Sequence, residues 1–149
     1  MKVRIISPKY VKHFPEQLEE GVLYISEEFK LTAHKCCCGC GEDVYNKLSP
    51  VKWNLTKSSD GSVSLYPSIG NWKYPCQSHY WISKNRVIDA GPMSDQEIEE
   101  VQKQDRKDRD MYIAQINDHY NRKLSIKIWR FSHLIVRRAF QFIKDLWRL

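Results

Sequence analysis

No uncharged apolar run in these 149 residues is long enough to cross a bilayer, which argues against a membrane-spanning helix. The opening residues lack both the apolar stretch and the small-residue cleavage site of a secretory signal, so the expected location is the cytoplasm. Internal repeats and low-complexity tracts are missing too, which sets aside repeat architectures. With 42% apolar and 12% aromatic residues the chain has ample material for a core, and wholesale disorder is excluded. Acid is scarce at one end. From Arg122 to Leu149 eight Lys or Arg stand against the single acid Asp145, a charge of +7, so the other 121 residues sum to −1. The basicity belongs to a tail rather than to the body.

Cysteine is what the chain does have. Four of its five cysteines fall at Cys36, Cys37, Cys38 and Cys40, and the fifth, Cys76, stands three residues before His79. In a reducing compartment, clustered thiols bind metal more often than they pair with each other. Zinc takes four tetrahedral ligands, with thiolates at about 2.3 Å. Gly39 and Gly41 beside the ligands allow the sharp bends such a site requires. On an extended strand Cys36, Cys38 and Cys40 would share one side, leaving Cys37 for the core. Five candidates then compete for four places: Cys36, Cys38, Cys40, Cys76 and His79. Cys38, Cys40 and Cys76 are common to both sets, and the fourth is Cys36 or His79. A full thiolate site is closed and structural, and thiolate softness favours zinc. Buried free thiols, or disulfides in an exported chain, are the alternative.

Residues 1–91 read as a mainly β, zinc-stapled domain, with short alternating or β-branched runs at 3–6, 21–26, 30–34, 53–56, 62–66, 80–83 and 86–90. Turn signals separate them at Ser49-Pro50, Asp60-Gly61, Ile69-Gly70-Asn71 and Lys84-Asn85, with Asp60-Gly61 the best hairpin. Residues 15–21 read as a helical turn stopped by Gly21. Residues 92–149 form a helical extension, making the whole α+β. Ser94 and Glu97 have capping-box spacing. A charged stretch to Arg109 suits a solvated helix or bridge, and from Met111 the pattern becomes amphipathic. Leu124, Ile128, Phe131, Ile135, Phe142 and Leu146 recur at helical spacing, with Trp129, Val136, Phe140, Ile143 and Trp147 widening the face.

Between the two ligand groups, Pro67-Ser68-Ile69-Gly70-Asn71-Trp72 combines residues that are costly to hold together without a required shape. Backbone amides around Gly70-Asn71 offer an anion-accepting concavity. Ser68 is a candidate nucleophile if a histidine reaches it, with His79 and His34 the candidates for base. A plain β-turn with Trp72 in the core is the competing reading.

Cys36-x-Cys38-Gly39-Cys40-Gly41, Leu48-Ser49-Pro50-x-x-Trp53, Val63-Ser64-Leu65-x-Pro67-Ser68-Ile69-Gly70-Asn71-Trp72 and Cys76-x-Ser78-His79-Tyr80-Trp81-Ile82 together resemble a bacterial family of small cysteine-rich proteins. Genes of that family lie beside a bacterial ubiquitin-like protein and its activating and conjugating enzymes, in operons linked to phage defence. The resemblance spans about residues 34–90. It implies the ubiquitin-like modifier as partner and a role in processing it or removing it from targets. It favours Cys36 as the fourth ligand, which frees His79. It also raises the acyl-transfer reading: Ser68 as nucleophile, His79 as base, and Gly70, Asn71 and Trp72 as oxyanion or substrate contacts. No third triad member is nominated; Asp89 departs from the family pattern.

The leading expectation is therefore a serine-dependent peptidase or hydrolase with a structural zinc. The rival is a non-catalytic zinc-ribbon-like module that recognises the modifier or its enzymes. Nucleic-acid binding through the basic tail comes third and is not expected, since the tail's aromatics have core-like spacing. The tail helix either packs on the β domain, docks on a partner, or lies on a membrane surface.

Overall fold

The computed structural model describes the backbone of residues 1–146 and the side chains of residues 1–138. The chain divides into two compact units, Met1–Asp105 and Arg106–Leu149. The fold is mainly β with a C-terminal helix.

The first unit is built on two four-stranded sheets. The first sheet runs in chain order through β1 (Ser7–Tyr10), β2 (Val22–Ser26), β3 (Leu31–Lys35) and β4 (Asp43–Lys47). The second runs through β5 (Asn54–Lys57), β6 (Val63–Gly70), β7 (His79–Ser83) and β8 (Arg86–Asp89). All neighbours are antiparallel except β1 and β2, which are parallel. Alternation directs one face of each sheet inward. Leu23, Ile25 and Val44 from the first sheet share a single core with Val63, Leu65, Ile69, Tyr80 and Ile82 from the second. Each such aliphatic side chain, fully buried, contributes about 1.5–3 kcal/mol. A smaller cluster of Leu18, Tyr24 and Ala33 covers the other face of β2 and β3, so both strands are buried on two sides.

Two connections hold the second sheet's geometry. Lys84 and Asn85 both have positive φ, 47° and 65°, as a two-residue hairpin of the primed type requires. Asn85 also receives the Val63 amide on its side-chain oxygen at 2.8 Å and the Ile6 amide on its carbonyl at 2.8 Å, tying the hairpin to β6 and to the N-terminal segment. At the other end, residues 58–62 close β5 onto β6 with Gly61 at φ 82°.

Several local expectations are corrected. The first strand lies at Ser7–Tyr10 rather than 3–6, and Ile5 makes only an isolated bridge to Arg86. Residues 15–21 form bends and a turn instead of a helical turn, with Leu18 inserted in the smaller cluster. Asp43–Lys47, where only Val44 and Tyr45 are apolar, is a strand that composition did not announce. Ile69-Gly70-Asn71 is not a turn, because β6 continues through Gly70. Cys36, Cys38 and Cys40 stand in the turn between β3 and β4, so strand alternation is not what sorts the thiols.

Helix α1 runs unbroken from Asp95 to Leu146. Its start is the expected capping box: Glu97 Oε2 accepts from the Ser94 amide at 2.8 Å, and the Glu97 amide donates back to Ser94 Oγ at 3.4 Å. From Arg106 to Leu146 the second unit is this helix. Apolar side chains along it, among them Ile116, Tyr120, Ile128 and Phe131, are exposed. Trp147 lies outside the described residues, as do the side chains of Phe140, Phe142, Ile143 and Leu146. No helix among the described residues is long and apolar enough to cross a membrane.

Candidate active site and metal centre

The β3–β4 turn is drawn tight before any metal is considered. The Cys36 amide donates to the Glu42 carbonyl at 2.8 Å, and the Gly39 amide donates to the Cys36 carbonyl at 3.0 Å. Gly39 and Gly41 take φ of 91° and 88°, conformations that only glycine adopts freely. Lys35 closes the neck, with its ammonium 2.7 Å from Asp43 and donating to the Gly41 carbonyl at 3.0 Å. This turn presents Cys36, Cys38 and Cys40, and the loop before β7 brings Cys76 to them. The four sulfurs lie within 4.8 Å of one another. Tetrahedral zinc with Zn–S near 2.3 Å needs sulfurs about 3.8 Å apart, so the donor set suits that ion. All five cysteines are free thiols rather than disulfides. Cys37 turns the other way into the core, fully buried, and burial pushes its thiol up to about 12.

Two polar side chains back the cluster. Ser78 Oγ is 3.1 Å from Cys36 Sγ, and Asn71 Nδ2 donates to Ser78 Oγ at 2.9 Å and to Cys36 Sγ at 3.4 Å. Both residues are buried. Contacts of this kind fix the orientation of the sulfur they reach. Asn71 also donates to the Tyr80 hydroxyl at 3.4 Å, and Tyr80 in turn meets His34 Nε2 at 2.9 Å. His34 is therefore committed to the interior, where burial lowers its pKa to about 4 and keeps the ring neutral.

On the opposite face of β7 stands a second histidine–hydroxyl pair. His79 Nε2 lies 2.9 Å from Ser68 Oγ, and His79 Nδ1 lies 3.1 Å from the Gly91 carbonyl. A carbonyl only accepts, so Nδ1 carries the proton and Nε2 is left as the acceptor for the serine hydroxyl. Gly91 is itself held: its amide donates to Asp89 Oδ1 at 3.0 Å, and its φ is 79°. Asp89 thus reaches His79 only through main chain.

A bulge places Ser68. Leu65 pairs with Ile82 and Ile69 with Tyr80, so four residues of β6 advance against two of β7. Tyr66, Pro67 and Ser68 are extruded opposite Trp81, and Ser68 turns toward His79. Bulges re-aim side chains in this way beside reactive sites. Gly70 has no Cβ because the Trp72 indole packs where one would stand. Trp72 in turn meets the His79 ring, centroids 5.0 Å apart, and limits its swing. The Asn71 amide donates to the Ser78 carbonyl at 2.9 Å, making 71 and 78 a hydrogen-bonded pair. By the alternation of antiparallel ladders, Gly70 and His79 form a non-bonded pair, and the Gly70 amide faces away from β7. On that side β5 begins only at Asn54, opposite Tyr66.

The family model for BubE, the bacterial ubiquitination-like system serine protease, matches residues 10–89. The chain belongs to the BubE family. No curated protein and no solved structure matches it. Ser68, His79 and the four gathered cysteines all fall inside the BubE match, whereas Gly91 and helix α1 lie beyond it. Sequence reasoning missed the Gly91 carbonyl and the bulge, because main-chain acceptors and register shifts leave no residue-type signal. Ser78 was legible only as a neighbour of His79 in Cys-x-Ser-His.

Proposed function

We propose that this BubE-family chain is a serine peptidase that processes or deconjugates a bacterial ubiquitin-like modifier, with Ser68 as nucleophile and His79 as general base. The observation that carries the reading is the 2.9 Å contact between Ser68 Oγ and His79 Nε2, together with a carbonyl partner that sets the tautomer. In acylation the Ser68 oxygen attacks the substrate carbonyl carbon while its proton passes to His79 Nε2. Collapse of the tetrahedral intermediate breaks the bond to the leaving amine or alcohol, which takes that proton. Water then repeats the sequence on the acyl-serine, releasing the modifier's carboxylate and restoring the hydroxyl. The Gly70 amide, on the edge that β5 leaves open, is the candidate oxyanion donor, since both donors of Asn71 are spent. Trp72 shields the histidine.

Cys36, Cys38, Cys40 and Cys76 hold a structural zinc in this reading. Four protein ligands leave no position for an activated water, so the metal supplies shape rather than chemistry. Its service to the site is positional: Cys76 anchors the loop that ends in His79. A cytoplasmic setting and a part in phage defence complete the proposal.

The test is incubation of the full chain with a modifier precursor carrying a C-terminal extension. The parent is expected to release the extension, and Ser68→Ala to reduce the rate at least about thousandfold. Undiminished cleavage by Ser68→Ala overturns the serine mechanism. Chelation is expected to abolish cleavage together with the folded signal; loss of cleavage by a folded apo-protein would assign the metal a chemical role.

A further inference from the structure

Beside Ser68 and His79, the outer face of the second sheet carries an apolar surface that the core does not use. Trp81 stacks on Tyr66, with ring centroids 6.0 Å apart and planes at 30°. Ile88 lies opposite Trp81 on β8. Tyr66 is 68% exposed, Ile88 48% and Trp81 36%, a high exposure for three large apolar side chains in adjoining strands. Their position follows from the strands. Trp81 is two residues from His79 on the same face of β7, and Tyr66 precedes Ser68 by two residues on the bulge. The platform begins where the Ser68–His79 pair ends.

The neighbouring edge is open as well. Beyond Tyr66, β6 runs to Gly70 and, among the described residues, has a partner strand only on the β7 side. A strand offering main-chain groups along one edge, next to pockets or platforms for alternate side chains, is how extended peptides are recognised.

We propose that Tyr66, Trp81 and Ile88 form the specificity surface for a large apolar side chain of an extended peptide whose reacting carbonyl lies at Ser68. This rests on the peptidase reading of the site and narrows its substrate class. The chain to be cut is an extended segment with a leucine-like or aromatic residue at the second position before the bond, not an acidic one. Tyr and Trp supply large contact area at small entropic cost, which is why they dominate binding hot spots. Stacking pre-organises the pair, so little ordering remains for the substrate to impose.

The experiment reads binding without turnover, in the full chain carrying Ser68→Ala. Fluorescein-labelled hexapeptide amides differing only in Leu, Phe or Asp at the second position from the carboxyl end are titrated by anisotropy. The Leu and Phe peptides are expected to bind at least about tenfold tighter than the Asp peptide, and adding Trp81→Ala should erase that difference. Trp81 lies outside the core, so the double variant should keep its parent's melting temperature. Equal affinity for Leu and Asp peptides, or a preference that survives Trp81→Ala, overturns the proposal. So does a Trp81→Ala effect confined to oligomeric state, which would make the platform a contact between copies. Cleavage of the modifier precursor by Ser68→Ala would remove the serine mechanism, while the anisotropy comparison would still decide the platform.

Discussion

His79 and Tyr80 are neighbours on β7 and point to opposite faces, and each completes a histidine–hydroxyl pair at 2.9 Å. Inside, His34 meets the Tyr80 phenol; outside, His79 meets the Ser68 hydroxyl. The surroundings divide them. His34 is fully buried, burial lowers its pKa to about 4, and its Nδ1 has no partner among the described residues. Burial likewise pushes the Tyr80 phenol far up, so neither member of the inner pair gives or takes a proton near neutrality. His79 is half-buried, its Nδ1 proton has a carbonyl to go to, and its hydroxyl partner sits on a bulge at an open sheet edge. A short contact does not make a base. Access, a fixed tautomer and a partner for the second nitrogen are what set His79 apart as the proposed base.

Substitution separates the two pairs most sharply. His79→Ala is expected to lower kcat on a modifier precursor by about a thousandfold or more, because in the proposed mechanism the serine loses its proton acceptor. His34→Gln should leave kcat within about twofold wherever the protein is folded, at a cost in stability of about 1–3 kcal/mol for the disturbed buried bond. Equal losses of kcat in the two variants would erase the distinction.

Acid should single out the inner histidine. Unfolded, His34 titrates near 6.5; folded, near 4. Between those values the unfolded chain binds a proton that the folded chain refuses. The contribution is therefore complete above about pH 6.5 and is lost as pH falls, up to about 3 kcal/mol by pH 4. Urea unfolding of the parent and of His34→Gln across that range measures it, and the variant should show a flatter decline. A parent whose slope matches the variant's would mean His34 is not held neutral.

The smallest effect sharpens the outer pair. Asp89 touches the Gly91 amide and not His79, so Asp89→Asn, which keeps an oxygen for that amide, should change kcat less than about fivefold. In triads whose carboxylate bonds the histidine directly, the equivalent change costs about 10⁴. A loss of that size here would place Asp89 on the imidazole during turnover.

Side-chain chemistry was legible in the sequence, and main-chain geometry was not. Clustered thiols, a serine near a histidine and the Ser94–Glu97 cap follow from residue types at short spacing. Lys84-Asn85 and Asp60-Gly61 announce their turns for the same reason. Gly70 misled, since glycine usually marks a turn, whereas here it makes room for the Trp72 indole inside a strand. Asp43–Lys47 escaped notice because its pairing with β3, rather than its own composition, makes it a strand. The two extra residues that turn Ser68 outward and the Gly91 carbonyl that orients His79 are properties of register and backbone, which no residue type encodes.

Covalent labelling reads the activation of the Ser68 hydroxyl itself. A small fluorophosphonate forms a serine O–P bond with loss of fluoride only where the hydroxyl is activated, and peptide mass spectrometry locates the adduct. One adduct is predicted, on Ser68, at similar rates in the parent and in His34→Gln, and nearly absent in His79→Ala. Labelling elsewhere, or undiminished labelling of Ser68 without His79, would rule out the proposed Ser68–His79 pair.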